Sequence, residues 1–364
     1  MKKIISITLL LALAVAVFAG CAGPKNASPT PTPSQNNGSD NGSGSAEGIV
    51  KLGLGQLVSI ASSKNAEGDN GAVAQVDTII AAVGFDKDGK VASVTIDNAQ
   101  TRVNYDKEGN MTSDPSAELK TKVELGDDYG MKARSGIGKE WFEQIAELEK
   151  WMVGKTVDEI KGMKTKEVDA GHPAVPDDPE LTSLVTISIQ DYIAVVVEAW
   201  EKAVDVASAE KVGLGINVSI AKSKGADGEN GPVAQVDTVM AATAITSDNK
   251  TAGTLIDNAQ IKVTFDKAGQ LTSDPAAELK TKVELGDAYG MKGNSGINKE
   301  WFEQIAELGS WMKGKTIDEI KNMKTKEVDA AHPAVPDDPD LTSLVTISVQ
   351  DYIAAVSESF DRAK

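Results

Sequence analysis

Hydroxyl groups crowd one short segment of this 364-residue chain. Thr182, Ser183, Thr186 and Ser188 stand just ahead of a stretch with helical spacing, and Ser343, Thr346 and Ser348 repeat the pattern. A helix N-terminus offers unpaired N–H groups and the positive end of the helix dipole, so hydroxyls there can help hold a phosphate. The competing reading makes Ser188 an N-cap and residues 185–187 a buried β segment leading into the helix. A second group comprises Tyr129, Met131, Lys132 and Trp141, with Tyr289 and Trp301 as aromatic counterparts. These rings could line a flat ligand and the lysine could face an anion; a Gly-rich loop docked on the core is the alternative.

Other candidate sites are weaker. His172 and His332 sit in Pro-rich segments near scattered carboxylates such as Asp169, Asp177 and Asp178, without the tight spacing of a zinc site. Asp86-Lys87-Asp88-Gly89 opens like a calcium loop but lacks a bidentate Glu at the right distance, so it reads as a hairpin turn. Gly53-Leu54-Gly55 lies inside a strand pattern and is no dinucleotide fingerprint. With one His per copy and a single Cys, hydrolase triads have few candidates. No nucleophile–base pair stands out, so the chain reads more as a non-enzyme than as a turnover enzyme. Two carboxyl groups sharing a cleft would be the enzymatic alternative.

These residues recur because the chain is written twice. Residues 51–204 and 211–364 align without a gap at an offset of 211 − 51 = 160, with about two thirds of positions identical. A period this long is a domain rather than a solenoid unit. Modules are expected over residues 49–204 and 210–364. In each, Leu52, Leu54, Val58 and Ile60 alternate as a strand, residues 73–85 form a second, 90–97 a third and 101–105 a fourth. Asp114-Pro115 predicts a short helix, the spacing of Trp141, Ile145, Leu148 and Met152 an amphipathic one, and Thr156 with Glu159 a capping box. The last helix, after Ser188, is expected to bury Ile189, Ile193, Val196 and Trp200. The class is α+β: two tandem copies of one module, each an antiparallel β-meander covered by helices.

Residues 1–20 carry a basic start and an apolar run too short to span a membrane, as in an export signal. The ending Phe18-Ala19-Gly20-Cys21 resembles the lipobox of bacterial lipoproteins, which implies lipidation of Cys21. The Pro-, Ser-, Asn- and Gly-rich residues 21–48 would then be the lipidated Cys and a disordered tether. The expected location is extracytoplasmic, lipid-anchored to the bacterial cell membrane. A formal charge of −17 disfavours nucleic acid as a partner.

The order of elements, a meander, a helical middle and a hydroxyl-rich turn running into a final helix, resembles the bacterial FMN-binding domain. That family's turn reads Asp-x-x-Ser-Gly-Ala-Thr-x-Ser or similar, and Ser183-Leu184-Val185-Thr186-Ile187-Ser188 stands in its place, with Leu-Val for Gly-Ala in both copies. The resemblance implies FMN as cofactor. It places Ser183, Thr186, Ser188, Ser343, Thr346 and Ser348 at the phosphate, and Thr186 and Thr346 as attachment points. Tyr129, Trp141, Tyr289 and Trp301 would flank the ring. It also implies electron transfer to a redox partner at the cell surface. The alternative is a cofactor-free extracytoplasmic module that binds a protein, peptide or cell-wall ligand.

Overall fold

The computed structural model describes residues 48–364; the expected export signal, Cys21 and nearly all of the expected tether lie outside them. Period-two patterning gives the first half three antiparallel strands, β1 (Ile49–Ser59), β2 (Val73–Phe85) and β3 (Val91–Asn104). Helices α1 (Lys122–Leu125), α2 (Trp141–Met152), α3 (Val157–Lys161) and α4 (Gln190–Glu201) follow. A two-residue pair, β4 (Thr165–Lys166) with β5 (Val175–Pro176), pins the loop before α4. The junction becomes β6 (Val204–Ala209), which joins the edge of the first sheet to give the order β3-β2-β1-β6.

The second half repeats the plan with β7 (Lys211–Ser219), β8 (Val233–Ile245) and β9 (Thr251–Thr264). After them come α5 (Lys282–Leu285), α6 (Trp301–Met312), α7 (Ile317–Lys321), the pair β10 (Thr325–Lys326) and β11 (Val335–Pro336), and α8 (Gln350–Asp361). The expected α+β class is what the structure has.

The two faces of each sheet serve different cores. Along β2, Ala74, Val76, Ile80 and Ala82 enter a core shared with Leu214, Val236, Met240 and Ala242 of the second sheet. The alternate residues Ile79, Ala81, Val83 and Phe85 pack against Trp141, Leu148, Val195 and Ala199 on the helices. The second half buries Val239, Ala241 and Ile256 under α6 and α8 in the same way. The layers are therefore helices, sheet, sheet, helices, and the described residues fall within one compact unit.

Gly53 and Gly55 explain how closely α4 lies on β1. A Cβ at Gly55 would sit 1.9 Å from the Val195 carbonyl oxygen, and one at Gly53 2.0 Å from that of Ala199. Gly213 and Gly215 meet Ser359 and Ala355 on α8 at 1.6 and 1.8 Å. The Gly-Leu-Gly motif thus admits a helix backbone on one face while Leu54 or Leu214 fills the inter-sheet core on the other.

Four expectations need correction. The third and fourth strands are one, β3, because residues 98–100 keep pairing with 77–79 across β2. Asp114-Pro115 opens no helix; Asp114 instead accepts hydrogen bonds from the amide and hydroxyl of Ser116 in a tight turn. Trp200 is 36% exposed, meeting the Phe85 ring edge-on at 4.9 Å from the rim of the core rather than lying within it. Ser188 does not cap α4: the cap is Ile189 with no side-chain bond, and the Ser188 hydroxyl accepts from the Ala174 amide.

Gly55→Ala places a methyl group against the fixed backbone of α4. Urea unfolding should show a loss of about 2–3 kcal/mol, whereas Gly68→Ala, with open space around it, should cost less.

Candidate functional site

A buried carboxylate on each central sheet organises the candidate site. Asp97 on β3 is fully buried, accepts from the Thr121 hydroxyl at 2.7 Å and from the Val123 amide at 3.1 Å, and so seats the first turn of α1. Asp257 does the same for α5 through Thr281 (2.6 Å) and Val283 (3.1 Å). A reciprocal capping box, Thr121 with Glu124 and Thr281 with Glu284, closes each helix start. The first helical residue is a lysine, Lys122 or Lys282, and each is only 7% exposed.

Both ammonium groups sit over aromatic rings. Lys122 Nζ lies 5.0 Å from the Tyr129 ring centre and 5.3 Å from Trp141; Lys282 lies 5.0 Å from Tyr289 and 5.2 Å from Trp301. Among the described residues no carboxylate lies within ion-pair distance of either. Each indole N–H is spent on a tyrosine hydroxyl, Trp141 on Tyr192 at 2.9 Å and Trp301 on Tyr352 at 3.0 Å. Trp141 and Trp301 are therefore packed walls, and Tyr129 and Tyr289 are the partly open rings.

In the second half this group opens into a cleft of about 1000 Å³ lined by Lys282, Tyr289, Met291, Trp301, Ile347, Ser348 and Tyr352. The residues before α1 in the first half, Pro115 to Leu119, contribute one wall. Five carboxylates line it (Glu118, Glu124, Asp237, Asp351 and Glu358) against two lysines, Lys222 and Lys282. Burial raises the Asp351 carboxyl above its ordinary range, with Asp237 adding to the effect. Burial also raises Glu358, against the hydrogen bond from Arg362. The buried Asn258 side chain lies on the cleft wall beside the Tyr352 hydroxyl. His332 lines the cleft too, its Nδ1 held 2.9 Å from Asp329.

The hydroxyl turn is differently employed. Thr186 donates its amide to Gln144 Oε1 at 2.8 Å, with its hydroxyl 3.3 Å from the same atom. Thr346 repeats this with Gln304 at 2.9 Å, and its hydroxyl donates to the Ser295 carbonyl at 3.1 Å. Ser188 and Ser348 accept from Ala174 and Ala334; Ser183 and Ser343 are exposed. As a cradle for an FMN phosphate the turn does not fit, because its central amide and hydroxyl are already satisfied by a buried glutamine. Of the expected ligand-facing residues, Tyr289, Trp301 and Ser348 share the cleft, whereas Thr346 and Ser343 do not line it.

Lys122, Lys282, Asp97, Asp257, Gln144 and Gln304 were not anticipated from sequence. Thr121-x-x-Glu124 is a capping-box spacing and could have revealed α1 with its leading lysine. Nothing local marks Gln144, whose partner lies 42 residues away. The His172–Asp169 pair is an exposed loop contact at 2.9 Å, and the described residues hold no cluster of three metal-ligating side chains.

Comparison with known proteins gives one short likeness: 55 residues are 49% identical to a chlorophenol reductase of Desulfitobacterium hafniense. The match spans 15% of this chain and 17% of that protein's length. No family model and no solved structure matches the chain.

Burial holds the Lys282 ammonium at about 8, below its ordinary value of 10.5; Asp237 and Asp257 oppose this and Lys222 adds to it. The folded protein thus binds this proton more weakly than the unfolded chain. Stability is reduced below pH 8 and recovers as pH rises toward 10.5. Lys282→Met keeps an apolar stem under the rings and should raise stability at pH 7 by about 2–3 kcal/mol, with the gain shrinking at pH 10.5. Denaturant midpoints at the two pH values check both the sign and the convergence.

Proposed function

We propose that this protein is a lipid-anchored, extracytoplasmic binding protein, built from two diverged copies of one module, whose second-half cleft takes a peptide-like ligand bearing positive charge. The observation that carries this reading is the lining of the cleft. Carboxylates outnumber lysines there, and Tyr289 offers a partly open aromatic face. Such a surface attracts ammonium and guanidinium groups and repels phosphate. Peptide chains near the outer face of a bacterial membrane meet that chemistry. In this reading the protein works by capture, without turnover, and Cys21 keeps the cleft close to the membrane.

A second reading keeps FMN, bound without covalent attachment in the same cleft, with electron transfer to a redox partner as the function. The specific observation in its favour is that Tyr289, Trp301 and Ser348 share the cleft. The short likeness to a reductase is consistent with a redox setting but is too short to carry an activity.

Calorimetric titration with a short Lys-rich peptide, its Glu-rich counterpart and FMN separates the two readings. The Lys-rich peptide should bind at one site, lose affinity as salt rises, and bind several-fold more weakly to Asp351→Asn. Affinity should also fall at a higher pH than ordinary carboxylates would give, since Asp351 and Glu358 both hold their protons more tightly than usual. FMN binding with no peptide binding would reverse the order of the two readings.

A further inference from the structure

The first half carries a hollow of opposite charge to the cleft. On a chain with formal charge −17, four cationic side chains converge beside Tyr129 around a space of about 270 Å³. They are Arg102 from β3, Lys120 just before α1, Lys122 at its first turn, and Arg134 from the turn after Tyr129. Asp128 is the one carboxylate in the lining.

Lys122 supplies the floor. It is 7% exposed, and its ammonium makes no hydrogen bond or ion pair among the described residues and sits against the faces of Tyr129 and Trp141. Arg102 uses Nε to donate to Gln75 Oε1 at 2.8 Å, which fixes the guanidinium and leaves its two terminal nitrogens without a partner among the described residues. Lys120 and Arg134 form no ion pair among the described residues. A buried ammonium without a counter-ion is costly, and three further cations around it raise that cost. An anion is the partner that would remove it.

We propose that this hollow binds the phosphate group of a small phosphomonoester or of inorganic phosphate. Lys122 meets it as a point charge from below, and the planar guanidiniums of Arg102 and Arg134 offer paired N–H donors at the rim. The space suits a phosphate group with any ester substituent left outside. The second half has Lys262, Ala288 and Asn294 where the first has Arg102, Asp128 and Arg134, so the planar donors belong to one half only. The site does not depend on the reading of the cleft, and the two can fail separately.

The test is isothermal titration of the intact chain with inorganic phosphate and with glycerol 3-phosphate in chloride buffer. One site per chain is expected, weakened about tenfold by Arg134→Asn and further by Lys122→Met. Arg134 is exposed, so its variant should keep the parent's circular dichroism and melting temperature. Tighter binding of glycerol 3-phosphate assigns the hollow to an ester, and tighter binding of inorganic phosphate assigns it to the free ion. No binding of either up to about 10 mM, or unchanged affinity in both variants, overturns the proposal.

Discussion

Two aspartates removed from solvent, Asp97 and Asp257, are what the rest of the molecule depends on. A buried carboxylate must be hydrogen-bonded or paired, and each of these recruits the start of a helix to satisfy it. That demand places Lys122 and Lys282 under their aromatic rings and so defines both candidate sites. It also reaches across the repeat. Arg362, at the end of α8, donates to Asp97 at 2.8 Å, and Ser93 bonds the Lys364 carbonyl, so the last residues of the second half close on the first.

The two aspartates are not satisfied alike. The position equivalent to Arg362 is Lys202, which turns to Glu198 and Glu284 at 2.6 and 3.0 Å instead of reaching Asp257. Gln56 contributes only a long contact to Asp257, 3.4 Å. Burial accordingly raises Asp257 to about 6 in spite of the bonds from Thr281, Asn258 and Val283. The same residue change thus unbalances the pair of sites. One half keeps a carboxylate paired with a guanidinium beside a basic hollow, and the other keeps a carboxylate made a weaker acid by burial beside an acidic cleft.

Much of this was legible from the residues. The alternation in residues 73–85, the helical spacing of Trp141, Ile145, Leu148 and Met152, and the capping box at Thr156 all specify local structure through local physics, and the elements follow them. The failures share a cause. Residues 97–99 look like a break because Asp, Asn and Ala are depleted in strands, yet β2 supplies a continuous pairing partner and Thr121 a hydrogen bond to Asp97. The hydroxyl turn resembles a phosphate site until Gln144, 42 residues away, is seen to occupy it. Likewise the repeat shows two like copies but not that Leu54 and Leu214 share one core. Long-range partners decide these points, and no spacing along the chain encodes them.

Buried charge and a shared inter-sheet core make the two halves one cooperative body. A double-mutant cycle on Asp97 and Arg362, using Asp97→Asn, Arg362→Met and the pair, tests it when unfolding is read by hydrogen exchange at amides of β2 and β8 separately. A coupling energy of about 1–3 kcal/mol and equal loss of protection in the two strands are expected. No coupling, or faster exchange confined to the mutated half (β2 for Asp97→Asn, β8 for Arg362→Met), would mean that the halves are independent.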